Sequence, residues 1–337
     1  MTLPRSFTST ERVRHSRRPS PARRLSPLAA LLGVFAVLLL PLSLGAADGA
    51  YVFSYFTGRG DDGLKLAWST DGRHWHAVAN ARSLLRPEVG EARLMRDPHL
   101  LQGPDGTFHL VWTTAWEGQT IGYAHSRDLI HWSEQRAIPV MQAIPGTRNC
   151  WAPEVVYDAG RQEFVLFWSS TVEGRFPETA GQSEDNYNHR IYACTTTDWR
   201  TFTPARLLYD PGFSVIDATF ARASDGSIHL VIKDERRDPV KKHLRTARAD
   251  SFLGPFGPLL PPFTGDWVEG PTALNVDDAV IVYYDVYRER RYEARLTRDF
   301  KTWEDVPELS LPAGLRHGTA IPVPATVLAS LRNLPAE

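Results

Sequence analysis

Short runs rich in Val, Ile, Tyr and Trp recur along most of the chain, broken by Gly, Asp and Pro, and almost no stretch carries apolar residues at helical spacing. That pattern predicts an all-β protein. The breaks themselves repeat. "STDGRHW" (69–75), "SRDLIHW" (126–132), "TTDWRTF" (196–202) and "TRDFKTW" (297–303) share one spacing: a hydroxyl or its equivalent, an Asp two positions on, and an aromatic four further. "RADSFLGPF" (248–256) is a longer version. An Asp in such a turn can accept backbone N–H groups while the aromatic packs back on the sheet. Copies at roughly 50–70 residue intervals predict five propeller blades of four strands each.

Four of the copies are preceded by two further strands joined by a turn: "RDPHLLQGPDGTFHLVWTT", "WAPEVVYDAGRQEFVLFWSS", "DATFARASDGSIHLVIKDE" and "EGPTALNVDDAVIVYYDVY". The copy nearest the N-terminus has "YVFSYF" but no first strand, and "RHGTAIPVP" (316–324) supplies one from the other end. The last blade is therefore expected to take its innermost strand from the C-terminus and three from the N-terminus, which closes the ring. Pro98, Pro153 and Pro271 stand near the start of three first strands. Proline belongs on edge strands, and the innermost strand of a blade is an edge facing the central channel.

Composition changes this picture mainly at the N-terminus. The first 24 residues hold seven Arg and one Glu, and an apolar run from 28 to 50 follows, broken by Pro41 and ending in Gly45-Ala46-Ala47. This reads as an export signal over residues 1–47, cleaved near Ala47, with a propeller domain over 50–337. The expected location is secreted or periplasmic, with membrane contact only if the leader stays attached. Without the leader the chain is acidic by several charges, so no basic patch suits nucleic acid. Cys150 and Cys194 are read as buried free thiols or one bond, without zinc spacing around them.

Aligning the first strands by eye puts Asp97, Glu154, Asp217, Glu269 and His317 at one depth around the channel. Each alone has a bland explanation: a turn dipeptide, a solvated strand end, a satisfied buried acid. Clustered from distant segments they are hard to explain as structure, because like charges repel unless they are used. Paired acids are what glycoside hydrolysis requires, one protonating the leaving oxygen and one activating water, with the carboxyls roughly 6.5–9.5 Å apart in an inverting enzyme.

In "RDPH", "NCWAPE", "VIDATF", "VEGPTAL" and "RHGT", in that order on successive blades, the sequence from about Ala50 onward resembles family 43 of the glycoside hydrolases. These are five-bladed propellers that include α-L-arabinofuranosidases, β-xylosidases and arabinanases. The resemblance implies Asp97 as general base, Asp217 as modulator of the acid's pKa, and Glu269 as general acid. It likens His317 to a channel histidine that in several members touches a central ion, often calcium, or its water. No dedicated calcium ligands are evident and no cofactor is required, and the resemblance leaves a structural calcium near His317 as an open alternative. Glu154 replaces the family's usual Asp after "WAP" and is read as a substrate contact.

Trp116 and Trp151 are candidates to stack on a sugar ring or to pack the blades. His189 in "YNHRIY" is a candidate hydroxyl donor to substrate. Lys233 and Arg236 in "KDER" are candidates to bind sugar hydroxyls, with surface ion pairing the more ordinary reading of both. Gly270 is expected to let sugar and backbone approach. The expected activity is exo-hydrolysis of α-L-arabinofuranosyl ends of an oligosaccharide or polysaccharide. β-Xylosyl or galactofuranosyl specificity and a non-catalytic carbohydrate-binding propeller are the alternatives. A sialidase is set aside because the innermost strands lack its arginine triad.

Overall fold

The computed structural model describes residues 49–336, so the leader read over 1–47 lies outside the described residues. Among the described residues no helix is long and apolar enough to cross a membrane. The fold is the expected all-β, five-bladed propeller. From the channel outward, the first blade holds strands Arg96–Gln102, Phe108–Thr113, Ile121–Ser126 and Arg136–Ile138. The second holds Trp151–Asp158, Glu163–Ser170, Arg190–Thr196 and Arg206–Tyr209, and the fourth Glu269–Val276, Ala279–Val286, Arg291–Thr297 and Glu304–Asp305. The fifth blade closes the ring as anticipated: Arg316–Pro322 from the C-terminus lies innermost and pairs antiparallel with Tyr51–Phe56, followed by Lys65–Ser69 and His76–Ala77.

The third blade has three strands, Val215–Arg222, Ile228–Asp234 and Leu244–Ala249, not the expected four. Pro255, Pro258, Pro261 and Pro262 occupy the segment where a fourth would run. Proline has no N–H to donate to a ladder, so the backbone N–H groups of this segment reach the third strand at scattered points, Gly257, Leu260 and Phe263, and form no regular ladder. A short helix, Ala325–Arg332, was not visible in the strand pattern; it buries Leu328 and Leu331 against Val52, Leu66 and Val78.

The second strand of each blade explains the apolar runs. Neighbouring residues there point into opposite inter-blade cores. Leu166 and Trp168 pack toward the first blade, Val165 and Phe167 toward the third. Likewise Ile281 and Tyr283 face the fifth blade while Val280 and Val282 face the third. Strands covered on both faces read as continuous rather than alternating apolar sequence.

At the rim, four of the five repeated turns are built alike. Asp71, Asp128, Asp198 and Asp299 each accept two backbone N–H groups on one carboxylate oxygen at 2.8–2.9 Å. Ser69, Ser126, Thr196 and Thr297 each accept the N–H three residues on, those of Gly72, Leu129, Trp199 and Phe300. The fifth copy departs from this, because Arg248 stands where the hydroxyl should be, and Ser251 instead closes its turn onto the Gly254 carbonyl. Cys150 and Cys194 are both buried free thiols.

Candidate active site

Every innermost strand carries one extra residue near its start. Arg96 and His99 face Thr113 and Val111, a step of three against a step of two, and the same slip occurs at Trp151/Glu154, Ile216/Thr219 and Glu269/Thr272. In the fifth blade it falls between Arg316 and Gly318. These are β-bulges, which bend a strand and re-aim its side chains. Asp97, Ala152, Asp217 and Gly270 at the bulges have φ between 45° and 58°.

The shared bulge supplies a structural alignment. The outermost ring is Arg96, Trp151, Ile216, Glu269 and Arg316; the next is Asp97, Ala152, Asp217, Gly270 and His317; below them lie His99, Glu154, Thr219, Thr272 and Thr319. The equal depth read from sequence is thus corrected. Glu269 sits one residue further out than Asp97 and Asp217, and Glu154 two residues further in. Buried there, Glu154 lies 3.5 Å from His99 and lines a narrow space of about 20 Å³, large enough for one water. It is not placed at the mouth.

All five outermost residues line one mouth cavity of about 140 Å³, together with Asp97, Thr113, Trp116, Asp217 and His317. Trp116 and Trp151 are therefore where a sugar could meet them. Trp151 donates its indole N–H to the Trp116 carbonyl at 2.8 Å, and Trp116 is 49% exposed. His189 is corrected: it is buried behind Trp151, 4.8 Å between ring centroids, and shares a hydrogen bond with Asn149. Burial drops its pKa to about 3, so it supports the tryptophan as a neutral ring and does not line the cavity.

His317 is the hub. Its Nδ1 lies 3.0 Å from Asp97 Oδ1 and its Nε2 3.2 Å from Glu269 Oε1. Burial opposes charge on this ring, but Asp217, Asp97 and Glu269 outweigh it and hold His317 as an imidazolium. Gly270 serves this ring, not the sugar as expected. A Cβ at Gly270 would come within 2.5 Å of the imidazole, so only glycine leaves room for it.

The three acids differ in environment. Asp97 also accepts the Thr113 hydroxyl at 2.8 Å; burial pushes its pKa up, yet the His317 contact prevails and leaves it a carboxylate. Asp217 accepts the Gly270 N–H at 2.9 Å, and burial raises it to about 6, with Glu269 and Asp97 adding repulsion against the pull of His317 and Lys233. For Glu269 burial again acts upward, but Lys233 and His317 hold it well below the ordinary range. Of these acids Asp217 is the one whose charge the site opposes most, while the residue read as the acid is held ionised; any shared proton titrates with the pair.

Three cations surround these acids; Arg96 and Arg316 escaped assignment from sequence, and Lys233 departs from the surface pairing expected of it. Lys233 is not in a surface pair. It is 2% exposed, and its Nζ lies 3.0 Å from Glu269 Oε2 and 2.7 Å from Glu235, which in turn pairs with buried Lys242. Arg316 reaches Glu269 at 3.2 Å and Asp285 at 3.4 Å. Arg96 lies between the Phe56 and Trp116 rings, 4.7 and 4.3 Å from their centroids. Two of the three directly precede a residue that was assigned, in "RDPH" and "RHGT"; Lys233 ends the otherwise apolar run "IHLVIKD", which was the available signal. Arg236, by contrast, is in an ion pair as expected, with buried Asp234.

Asp217, Glu269 and His317 offer ligand atoms within 4.8 Å of one another. They do not fit the calcium suggested beside His317. That ion takes six to eight oxygens, whereas both His317 nitrogens face carboxylates and both Glu269 oxygens are held by Lys233 and Arg316.

Five bulged strands gather three acids around one mouth cavity, and the chain that builds them matches a known family. Residues 47–327 fit the model of a probable glycosyl hydrolase domain related to family 43. The chain belongs to this family. It is a glycosidase of the family-43 kind, and its propeller is the family's propeller. A thermostable family-43 glycoside hydrolase is similar over 64% of this chain and 73% of its own, at 16% identity and a TM-score of 0.51. A family-43 β-1,3-galactosidase, in a structure with galactodeoxynojirimycin, covers 65% and 78%, at 14% identity and 0.50. An α-L-arabinofuranosidase from Lactobacillus brevis covers 63% and 72%, at 16% identity and 0.47. At these identities the likeness concerns the fold. No curated protein sequence matches the chain.

Proposed function

We propose that the chain is an exported, inverting glycoside hydrolase that removes single sugars from glycan ends, with Asp97 as general base and Glu269 as general acid. The observation that carries this is the placement of Asp97 and Glu269 on opposite nitrogens of one imidazole, in a cavity that narrows to the width of a water beneath them. A ring's width between the acids leaves space for a water on one face of the sugar. A mouth cavity of about 140 Å³ suits one terminal sugar better than a chain middle.

In the reaction, water attacks the anomeric carbon and gives a proton to the Asp97 carboxylate. The glycosidic C–O bond breaks, and the departing oxygen takes a proton from the acid. Asp97, ionised by His317 and Thr113, suits its role at rest. Glu269 does not, since Lys233, Arg316 and His317 keep it deprotonated, and the proton shared with Asp217 must reach it as substrate enters. The same observation favours a second reading, in which Asp217 donates directly.

The sugar named first is α-L-arabinofuranosyl, with β-xylosyl and galactofuranosyl beside it. The galactosidase among the structural neighbours adds β-galactosyl to the test panel. Proton NMR of the mature chain acting on the four aryl glycosides is the test. Release of one sugar whose first-formed anomer is inverted supports the proposal. A retained anomer removes the base role of Asp97, and no release from any member leaves a carbohydrate-binding propeller.

A further inference from the structure

Among the four cations that line or touch the mouth cavity, three are matched. His317, Lys233 and Arg316 each meet carboxylates within salt-bridge distance. Arg96 meets none among the described residues, although only 8% of it is exposed. Its flat faces are covered by Phe56 and Trp116, but rings satisfy the faces of a guanidinium and not its N–H edge. Among the described residues no oxygen accepts a hydrogen bond from that edge, and Arg96 lines the cavity.

A second cation is held close by. Arg316 lies over the same Phe56 ring, 5.7 Å from its centroid, where Arg96 lies at 4.7 Å. Asp97 and Glu269 lie near enough to favour both charges, but neither carboxylate is within salt-bridge distance of Arg96, so its fork stays open to a further anion. A neutral sugar offers hydroxyls, which single hydrogen-bonding side chains recognise well. A planar, five-donor fork matches a carboxylate or sulfate.

We propose that the cavity recognises an anionic group of the glycan, a sugar carboxylate or sulfate, on the free edge of Arg96 with Arg316 beside it. This rests on the glycosidase reading for the role of the cavity, but the test does not need turnover. Binding of D-galacturonate, D-galactose 6-sulfate and D-galactose to the full chain is measured by calorimetry at low salt, for the wild type and for Arg96→Gln and Arg96→Lys. The anionic sugars are expected to bind at least about tenfold more tightly than galactose, the factor that about 1.4 kcal/mol gives. Galacturonate leading identifies a uronate; the sulfate ester leading identifies a sulfated glycan. Arg96→Gln should abolish the preference, Arg96→Lys should keep part of it, and added salt should shrink it in the wild type. Equal binding of all three sugars overturns the proposal. So does an anion preference that survives Arg96→Gln. If Arg96→Gln does not fold, judged by its melting curve, the wild-type preference and its salt dependence decide alone. Hydrolysis of neutral aryl glycosides without any anion preference would sink this inference and leave the glycosidase standing.

Discussion

The rim turns and the channel mouth both present aspartates at repeated positions, yet they reach opposite ends of carboxylate chemistry. Asp198 and Asp299 at the rim are exposed and fall to about 2, because backbone N–H groups of their own turns bind the charged form. Asp217 at the mouth is buried and rises to about 6, because burial and two neighbouring acids oppose its charge. A carboxylate satisfied by its own loop is locked and inert. One whose charge depends on side chains from other blades can change its protonation when a substrate rearranges them.

The sharpest break of this comparison is at the mouth. Glu269→Gln should lower kcat/KM on the order of 10³-fold for a poor leaving group and far less for an aryl group that departs without a proton. Asp97→Asn should lose a similar factor with both, because water activation does not depend on the leaving group. If Asp217→Asn rather than Glu269→Gln shows the leaving-group rescue, Asp217 is the donor.

Lys233 allows a finer test. Lys233→Met removes the largest cationic influence on Glu269 and one of the influences that lower Asp217. Both acids should then hold their proton to higher pH. In the wild type the shared proton is present below about 6 and is lost as pH rises through that value, so activity should fall there. The falling limb of the kcat/KM profile should move upward in the variant. Removing one member of a buried ion-pair chain should also lower stability by roughly 3 kcal/mol, read by urea unfolding. An unshifted limb would mean that the limb reports another group.

What was legible in the sequence follows the same division. The rim turns, the blade count and the closing strand depend on contacts within a few residues or on one pattern repeated, and 69–75, 126–132, 196–202 and 297–303 carried them plainly. The residues at the mouth were found as types, but their depth was misjudged. A bulge adds a residue without leaving a signature, which moved Glu154 inward and Glu269 outward. Lys233 looked like a strand-end surface lysine because its partner, Glu269, is 36 positions away on the next blade. The missing strand of the third blade has its signal in Pro255, Pro258, Pro261 and Pro262, which remove ladder donors where a fourth strand would run.

The smallest effect belongs to the rim, and it tests whether local satisfaction really makes an aspartate inert. Asp299 lies in the same blade as Glu269. Asp299→Asn keeps an oxygen for the Lys301 and Thr302 N–H groups; it loses the charge and the second oxygen that shares the Thr302 hydroxyl. Its folded pKa is depressed, so the contribution of the charge is present above the unfolded value and vanishes as pH falls through about 2. The variant should therefore melt within about 2 °C of the wild type at neutral pH and coincide with it at the acid end. Its kcat/KM should match the wild type at every pH. A shifted pH–activity profile from this substitution would show that rim charge reaches the channel, and the separation between locked and switchable carboxylates would fall.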